Sequence, residues 1–159
     1  MNPIRVMTMM TAKTQDFQAA GAGGSAEMSQ ALAAGMAGGM PRRWWLAARW
    51  KWCLDADVVK ELFSIMIGEA LQLAQDEHWH SPGKLIPGFC ELALAELAWP
   101  GSFKDPEQRR LWLGLSKGTW SRRRRMYEPV FRMVDDWCSR AYGYLYLAQR
   151  SQSLNMRVL

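Results

Sequence analysis

The fold class that the sequence predicts is all-α. After residue 40, apolar residues recur at spacings of three and four, which is the period of an amphipathic helix, and no segment alternates apolar and polar residues as a half-buried strand does. Proline and glycine fall between the periodic segments, where they end helices. The 159 residues suffice for one domain with a substantial core, and nine tryptophans supply large side chains for it.

Residues 1–40 are predicted to form a flexible arm. They contain six glycines, nine alanines and seven of the eleven methionines, with Phe17 as the single aromatic residue. Such a segment has too little large apolar surface to offset the entropy lost on ordering, although its composition allows a transient helix near 25–34. The helical domain is therefore predicted to span residues 41–159.

Three helices are predicted in the first part of this domain. The first covers 41–54, starts with a proline at a plausible first helical position and mixes tryptophan with basic residues. Its core-facing residues would be Trp45, Ala48 and Trp52. The second runs from a cap at Asp55 or Asp57 to about residue 78. Its core-facing stripe would be Val58, Leu62, Ile65, Glu69 and Leu73. A short buried helix over 87–99 ends at the Pro-Gly pair that follows it.

The stretch 105–127 predicts a helix, a short turn and a second helix. Asp105 is a suitable N-cap, Pro106 a suitable first helical residue, and Gln108 can reach back to the cap. Gly114 can adopt the positive φ that ends a helix, and Ser116 can cap the next one.

The second helix of this stretch is predicted to run over 117–127, where Pro129 forces a break or a fresh start. A third, long helix then covers 129–150. Its apolar stripe consists of Val130, Val134, Trp137, Ala141, Leu145 and Ala148.

Basic residues are concentrated in the C-terminal part of the chain. Residues 1–100 hold 8 basic and 10 acidic side chains, whereas residues 101–159 hold 12 basic and 5 acidic ones. Within 109–125 there are seven basic residues and no acid. A patch of one sign in an otherwise balanced chain indicates a polyanionic partner.

The helical wheel of 117–127 separates a core face from an outward face. Trp120 and Tyr127, together with Leu115, would face the core. Base edges would then be contacted by Ser121, Arg122 and Arg125, and phosphates by Lys117, Arg123 and Arg124. Ser116 and Thr119, at the start of the helix, complete the predicted DNA-binding set.

These residues resemble the helix-turn-helix family of transcription regulators. The matching positions are Leu113, Gly114, Leu115, Ser116, Thr119 and Trp120. The chain departs from the pattern at Arg109, Arg110 and Arg123, where such motifs usually carry apolar or small residues. The short chain, the tryptophan-rich helical part and the long last helix also resemble phage late-gene regulators of the antiterminator Q type.

The resemblance implies a phage or prophage DNA-binding protein that controls transcription in the bacterial cytoplasm, with double-stranded DNA as its partner. The tryptophan-rich helices would support a homodimer or contact RNA polymerase. Two alternatives remain open. The basic face could bind an acidic protein, or the chain could be an accessory factor in DNA packaging or recombination.

Other functions find little support in the sequence. Cys53, Cys90 and Cys138 are odd in number and widely spaced, which favours a reducing compartment over a disulfide framework. His78 and His80 lack the spacing of metal ligands. We therefore expect no metal, no cofactor and no catalytic residues, hence no enzyme. The segment 42–52 is expected to pack as a core helix, with membrane-surface contact as the alternative.

Overall fold

The structure, a computed structural model, describes residues 23–156. These residues form α-helices and no β-strand, which confirms the predicted all-α fold class. The helices are α1 (Gly23–Ala37), α2 (Arg42–Cys53), α3 (Val59–Asp76), α4 (Ile86–Ala98), α5 (Pro106–Leu113) and α6 (Lys117–Met156). Short 3₁₀ turns at Ala56–Val58, Pro82–Lys84 and Pro100–Phe103 connect α2 through α5.

The centre of the fold is formed by α2 and α4. Almost every residue of α4 is buried, in keeping with a sequence that is apolar nearly all round. Trp50 of α2 is fully buried, and its indole N–H donates a hydrogen bond of 2.8 Å to the Leu94 carbonyl of α4. Because α1, α3, α4 and α6 all pack on α2, the segment 42–52 is a core helix. Trp45 and Trp52, predicted to face the core, are only half-buried in this arrangement.

The core-facing side of α3 is rotated relative to the prediction. Its buried residues are Val59, Leu62, Met66, Ala70 and Ala74. Asp55 accepts a hydrogen bond from the Asp57 N–H and so caps a 3₁₀ turn, and the α-helix begins only at Val59. The small Ala70 and Ala74 side chains face the interior, while Ile65 and Leu73 lie half-buried at its edge and Glu69 is exposed.

Residues 28–40, which the sequence assigns to the arm, pack against the helices that follow Pro41. Leu32 is fully buried, and its carbonyl accepts a hydrogen bond of 3.1 Å from the Trp45 indole. Arg49 donates to the Ser29 hydroxyl. Gly35 allows α1 to approach α6 closely, since a Cβ on this residue would lie 2.9 Å from the Leu145 side chain. Residues 1–22 of the predicted flexible arm lie outside the described residues.

This N-terminal segment completes a second, smaller core cluster. The cluster consists of Leu32, Met40, Ala48, Ala141 and Leu145, drawn from both ends of the described chain. The Tyr144 hydroxyl of α6 donates a hydrogen bond of 2.5 Å to the Gly38 carbonyl, which lies 106 residues earlier in the sequence. The long last helix is therefore packed against α1 as well as against the centre of the fold.

The predicted break at Pro129 is also wrong, since α6 continues through it as one helix of 40 residues. Such a helix is about 60 Å long. Pro129 has no N–H to donate to the Arg125 carbonyl, but the buried Tyr127 and Val130 on either side hold the helix against the core. The predicted stripe is buried at Val130, Val134, Trp137, Ala141 and Leu145, whereas Ala148 is exposed.

Candidate nucleic-acid interface

A tight, well-capped turn joins α5 to α6. The Asp105 side chain accepts a hydrogen bond of 2.9 Å from the Glu107 N–H at the start of α5. Gly114 ends this helix with a φ of 66°, the left-handed conformation that glycine adopts at least cost. Ser116 then caps α6 by accepting from the Thr119 N–H at 3.2 Å, and its hydroxyl donates to the Thr119 hydroxyl. The predicted order of helix, three-residue turn and helix is therefore present.

The first turns of α6 are oriented by aromatic side chains. Trp120 is 8% exposed and Tyr127 only 2%, and the Tyr127 ring meets the edge of Phe89 with centroids 5.8 Å apart. Leu115 in the turn is half-buried against the same core. These three residues are the predicted core face, and the structure confirms it.

The first turns of α6 also carry exposed positive charge. Lys117, Arg122, Arg124 and Arg125 are exposed, and we call them the basic face. Among the described residues, no carboxylate lies within ion-pair distance of any of the four. Ser121 is exposed beside them, whereas Ser116 and Thr119 are engaged in the helix cap. The structure thus leaves most of the predicted DNA-binding residues exposed on the first turns of α6.

Arg123 differs from its neighbours in sequence. It is only partly exposed, and its Nη1 donates a hydrogen bond of 2.9 Å to the carbonyl of His80, in the loop between α3 and α4. A predicted phosphate ligand is therefore already bonded to another part of the protein. No local pattern signals this contact, because the two residues are 43 positions apart.

Arg109 belongs to a partly buried polar network that joins α4, α5 and α6. Its guanidinium donates to Glu96 Oε1 at 2.7 and 2.9 Å and lies over the Tyr127 ring at 5.6 Å. The Tyr127 hydroxyl donates to Glu96 Oε2. Burial of the hydroxyl, and then its bond to Glu96, raise the pKa of Tyr127 well above its ordinary value. Sequence reasoning missed Glu96, since nothing marks it among the other helical acids.

Arg110 supports the turn itself. It pairs with Glu107 one helical turn away and donates through Nη1 to the Leu115 carbonyl at 2.6 Å. The hydrogen bond from Arg110 lowers the pKa of Glu107, and the nearby charge of Lys117 lowers it further. All three arginines that depart from the helix-turn-helix pattern thus have identified structural partners, Glu96, Glu107 and His80.

Other kinds of site find no support in the part of the chain that the structure describes. It contains no group of three or more His, Cys, Asp and Glu side chains placed to hold a metal ion. Burial raises the pKa of the Cys90 and Cys138 thiols to about 12, which disfavours the thiolate form of both. Over the same residues, no helix combines the length and the apolar character needed to cross a bilayer.

Comparison of the chain with protein-family models, with curated proteins and with solved structures returns no match in any of the three.

Proposed function

We propose that this protein binds double-stranded DNA through the basic face at the start of α6. The observation that carries the proposal is the exposure of four cations on two to three turns of helix, namely Lys117, Arg122, Arg124 and Arg125. None of them has a carboxylate partner among the residues that the structure describes. Pairing of Arg109 and Arg110 with carboxylates leaves five of the seven basic residues of 109–125 without one, and these are Arg123 and the basic face. Exposed arginine and lysine on one helix are the usual ligands of backbone phosphates.

The packing of the helix against the core supports a recognition role beyond general charge. Ser116 caps the first turn, and Trp120 and Tyr127 fix the rotation of the helix about its axis. Arg122 and Arg125, three residues apart, therefore project from the same side of α6. Arginine can pair with guanine in the major groove through both arms of its guanidinium, so these two side chains are the proposed base readers.

Within this proposal the protein acts in transcription control. Phage late-gene regulation is the setting that the helix-turn-helix and antiterminator resemblance implies, in the cytoplasm of a bacterial host. Binding to promoter or operator DNA would then be combined with a homodimer or an RNA polymerase contact elsewhere on the protein. The DNA contact is tested first, because every one of these roles depends on it.

The test is a titration of labelled random-sequence duplex at several salt concentrations. If each of the four cations neutralises one phosphate, the logarithm of the binding constant falls with that of salt with a slope of about −3 to −4. The triple variant Arg122→Ala, Arg124→Ala, Arg125→Ala should reduce that slope by nearly three. A matched control removes three other exposed cations, Arg42, Arg43 and Lys60, and should leave most of the slope intact.

The same titration separates the alternative in which the basic face binds an acidic protein. Polyglutamate serves as the competing polyanion, because it has carboxylates but neither phosphates nor base edges. A parent protein that binds polyglutamate and not duplex would overturn the proposal. Equal loss of duplex binding in the triple variant and its matched control would overturn the assignment to the basic face.

A further inference from the structure

The loop between α3 and α4 has an unusual backbone. His78 and Ser81 have φ values of 53° and 49°, in the left-handed region that non-glycine residues rarely adopt. Leu54 is the only other such residue among those described. Two strained residues within four positions persist only where the surrounding structure holds them, and such strain is concentrated at functional segments.

Two contacts place this loop beside the start of α6. Arg123 donates its hydrogen bond of 2.9 Å to the His80 carbonyl at one end of the segment 80–84. At the other end, Lys84 and Leu85 share a groove of about 250 Å³ with Leu113 and Leu115, which flank the turn before α6. The 80–84 loop therefore lies along the side of the turn and the first two turns of α6.

This position adds a fifth cation to the neighbourhood of the basic face. Lys84 is exposed, and no hydrogen bond or ion pair holds it within the described residues. The acid closest to the turn in sequence, Glu107, is already paired with Arg110. A duplex lying on the basic face would therefore meet a positive, uncompensated side chain at the edge of its contact area.

We propose that the 80–84 loop is a second DNA-contacting segment, in which Lys84 binds a backbone phosphate and Arg123 is a positioning residue that holds the loop in place. This inference rests on the proposed duplex binding by the basic face. It assigns Arg123 a role different from that of Arg122, Arg124 and Arg125, because its guanidinium bonds to the His80 carbonyl and is partly shielded from solvent.

A double-mutant cycle on random-sequence duplex tests both parts of the proposal. Lys84→Ala should lower the salt slope by about 0.9, the value for one phosphate contact. Arg123→Ala should lower it by a similar amount, because the released loop no longer presents Lys84. The double variant should then lose no more than either single variant, since both changes remove the same contact.

Lys60→Ala is the matched control. Lys60 is another exposed lysine, but it lies at the far end of α3, about 24 Å of helix from Asp76, where the loop begins. Its removal changes the net charge equally and should leave the slope unchanged. Thermal melting of each variant shows whether the fold is retained. If Arg123→Ala fails to fold, Lys84→Ala against Lys60→Ala still tests the loop contact.

The outcomes distinguish this inference from the proposed function. If the parent binds duplex and Lys84→Ala has the same slope as Lys60→Ala, the loop contact is overturned while binding by the basic face stands. If the salt slope of the double variant falls by about 1.8, Arg123 binds a phosphate of its own and its positioning role is overturned. A parent that binds no duplex at any salt concentration overturns both.

Discussion

The arginines of α5 and those at the start of α6 belong to one basic stretch of sequence but lie in different environments. Arg109 and Arg110 are bonded to Glu96, Glu107 and a backbone carbonyl. Arg122 and Arg125 are exposed and have no carboxylate partner among the described residues. The first pair holds three helices and a turn together, and the second pair leaves its guanidinium groups available to a ligand.

The comparison shows that a count of charges along a sequence overstates the charge that a partner meets. An arginine that is paired with a carboxylate of the protein holds the structure in place, whereas an exposed arginine without such a partner is available to a ligand. Loss of an α5 arginine should therefore affect stability first, whereas loss of an α6 arginine should affect binding first.

Trp120→Ala should produce the largest change, because Trp120 fixes which side of α6 faces the core. Removing a buried tryptophan should lower the free energy of unfolding by roughly 3–5 kcal/mol, measured by urea denaturation. Leu111→Ala, at a position that is 61% exposed, should change it by less than about 0.5 kcal/mol. An unchanged unfolding midpoint for Trp120→Ala would mean that Trp120 faces solvent and that a different side of α6 packs on the core.

Arg109→Ala should lower the free energy of unfolding by about 3 kcal/mol, because it leaves the Glu96 carboxylate buried without its charge partner. Arg132→Ala breaks an ion pair that is exposed at both ends and should cost no more than about 1 kcal/mol. Adding Glu96→Gln to Arg109→Ala should restore part of the loss, since a neutral amide is cheaper to bury. If Arg109→Ala and Arg132→Ala lower the free energy of unfolding equally, the Arg109–Glu96 pair stabilises the fold no more than an exposed ion pair does.

Arg122→Ala and Arg125→Ala should each weaken binding to the preferred sequence by roughly 1–3 kcal/mol, with a smaller loss on random duplex. Selection from a random duplex pool would first identify that sequence. Neither change should shift the unfolding midpoint, because both side chains are exposed. Arg42→Ala is the control for binding. Equal losses on both DNAs at both positions would contradict base reading and leave phosphate contact alone.

The smallest effect concerns the ion pair beside the turn and depends on pH. Arg110 lowers the pKa of Glu107 below its ordinary value of 4.5, so the pair stabilises the fold above that pH. As the pH falls through the lowered pKa, Glu107 becomes protonated and the contribution disappears. The Tm difference between the parent and Glu107→Gln should therefore be present near pH 6 and shrink below about pH 4.5. A difference that persists in acid would show that the pair contributes nothing through its charge.

Local chemistry made some elements of the fold predictable. The helix start at Asp105 and Pro106 and its end at Gly114 depend on residues within a few positions of each other. The continuation of α6 through Pro129 was not predictable in this way, because burial of the flanking residues outweighs one missing hydrogen bond. The packing of α1 was missed for a similar reason, since it depends on a tryptophan and an arginine of the next helix rather than on its own composition.

The same limit applies to the candidate site. The outward direction of Arg122 and Arg125 follows from the helical period once Trp120 and Tyr127 are taken as buried, so it could be predicted. The partners of Arg109 and Arg123 lie 13 and 43 residues away on other elements. No periodicity connects them, and only the folded chain shows that Arg109 and Arg123 are already bonded.

The hydrogen bond between Tyr144 and Gly38 has a consequence for the order in which the chain is made. Gly38 is synthesised 106 residues before Tyr144, an interval of about 5–20 s at typical rates of translation. Throughout that time Leu32 and Met40 cannot complete their cluster, because Ala141 and Leu145 have not been added. Contacts of such long sequence separation close slowly. The contact between α1 and α6 can therefore close only after residue 145 has been added, and until then the apolar side chains of α1 lack their partners.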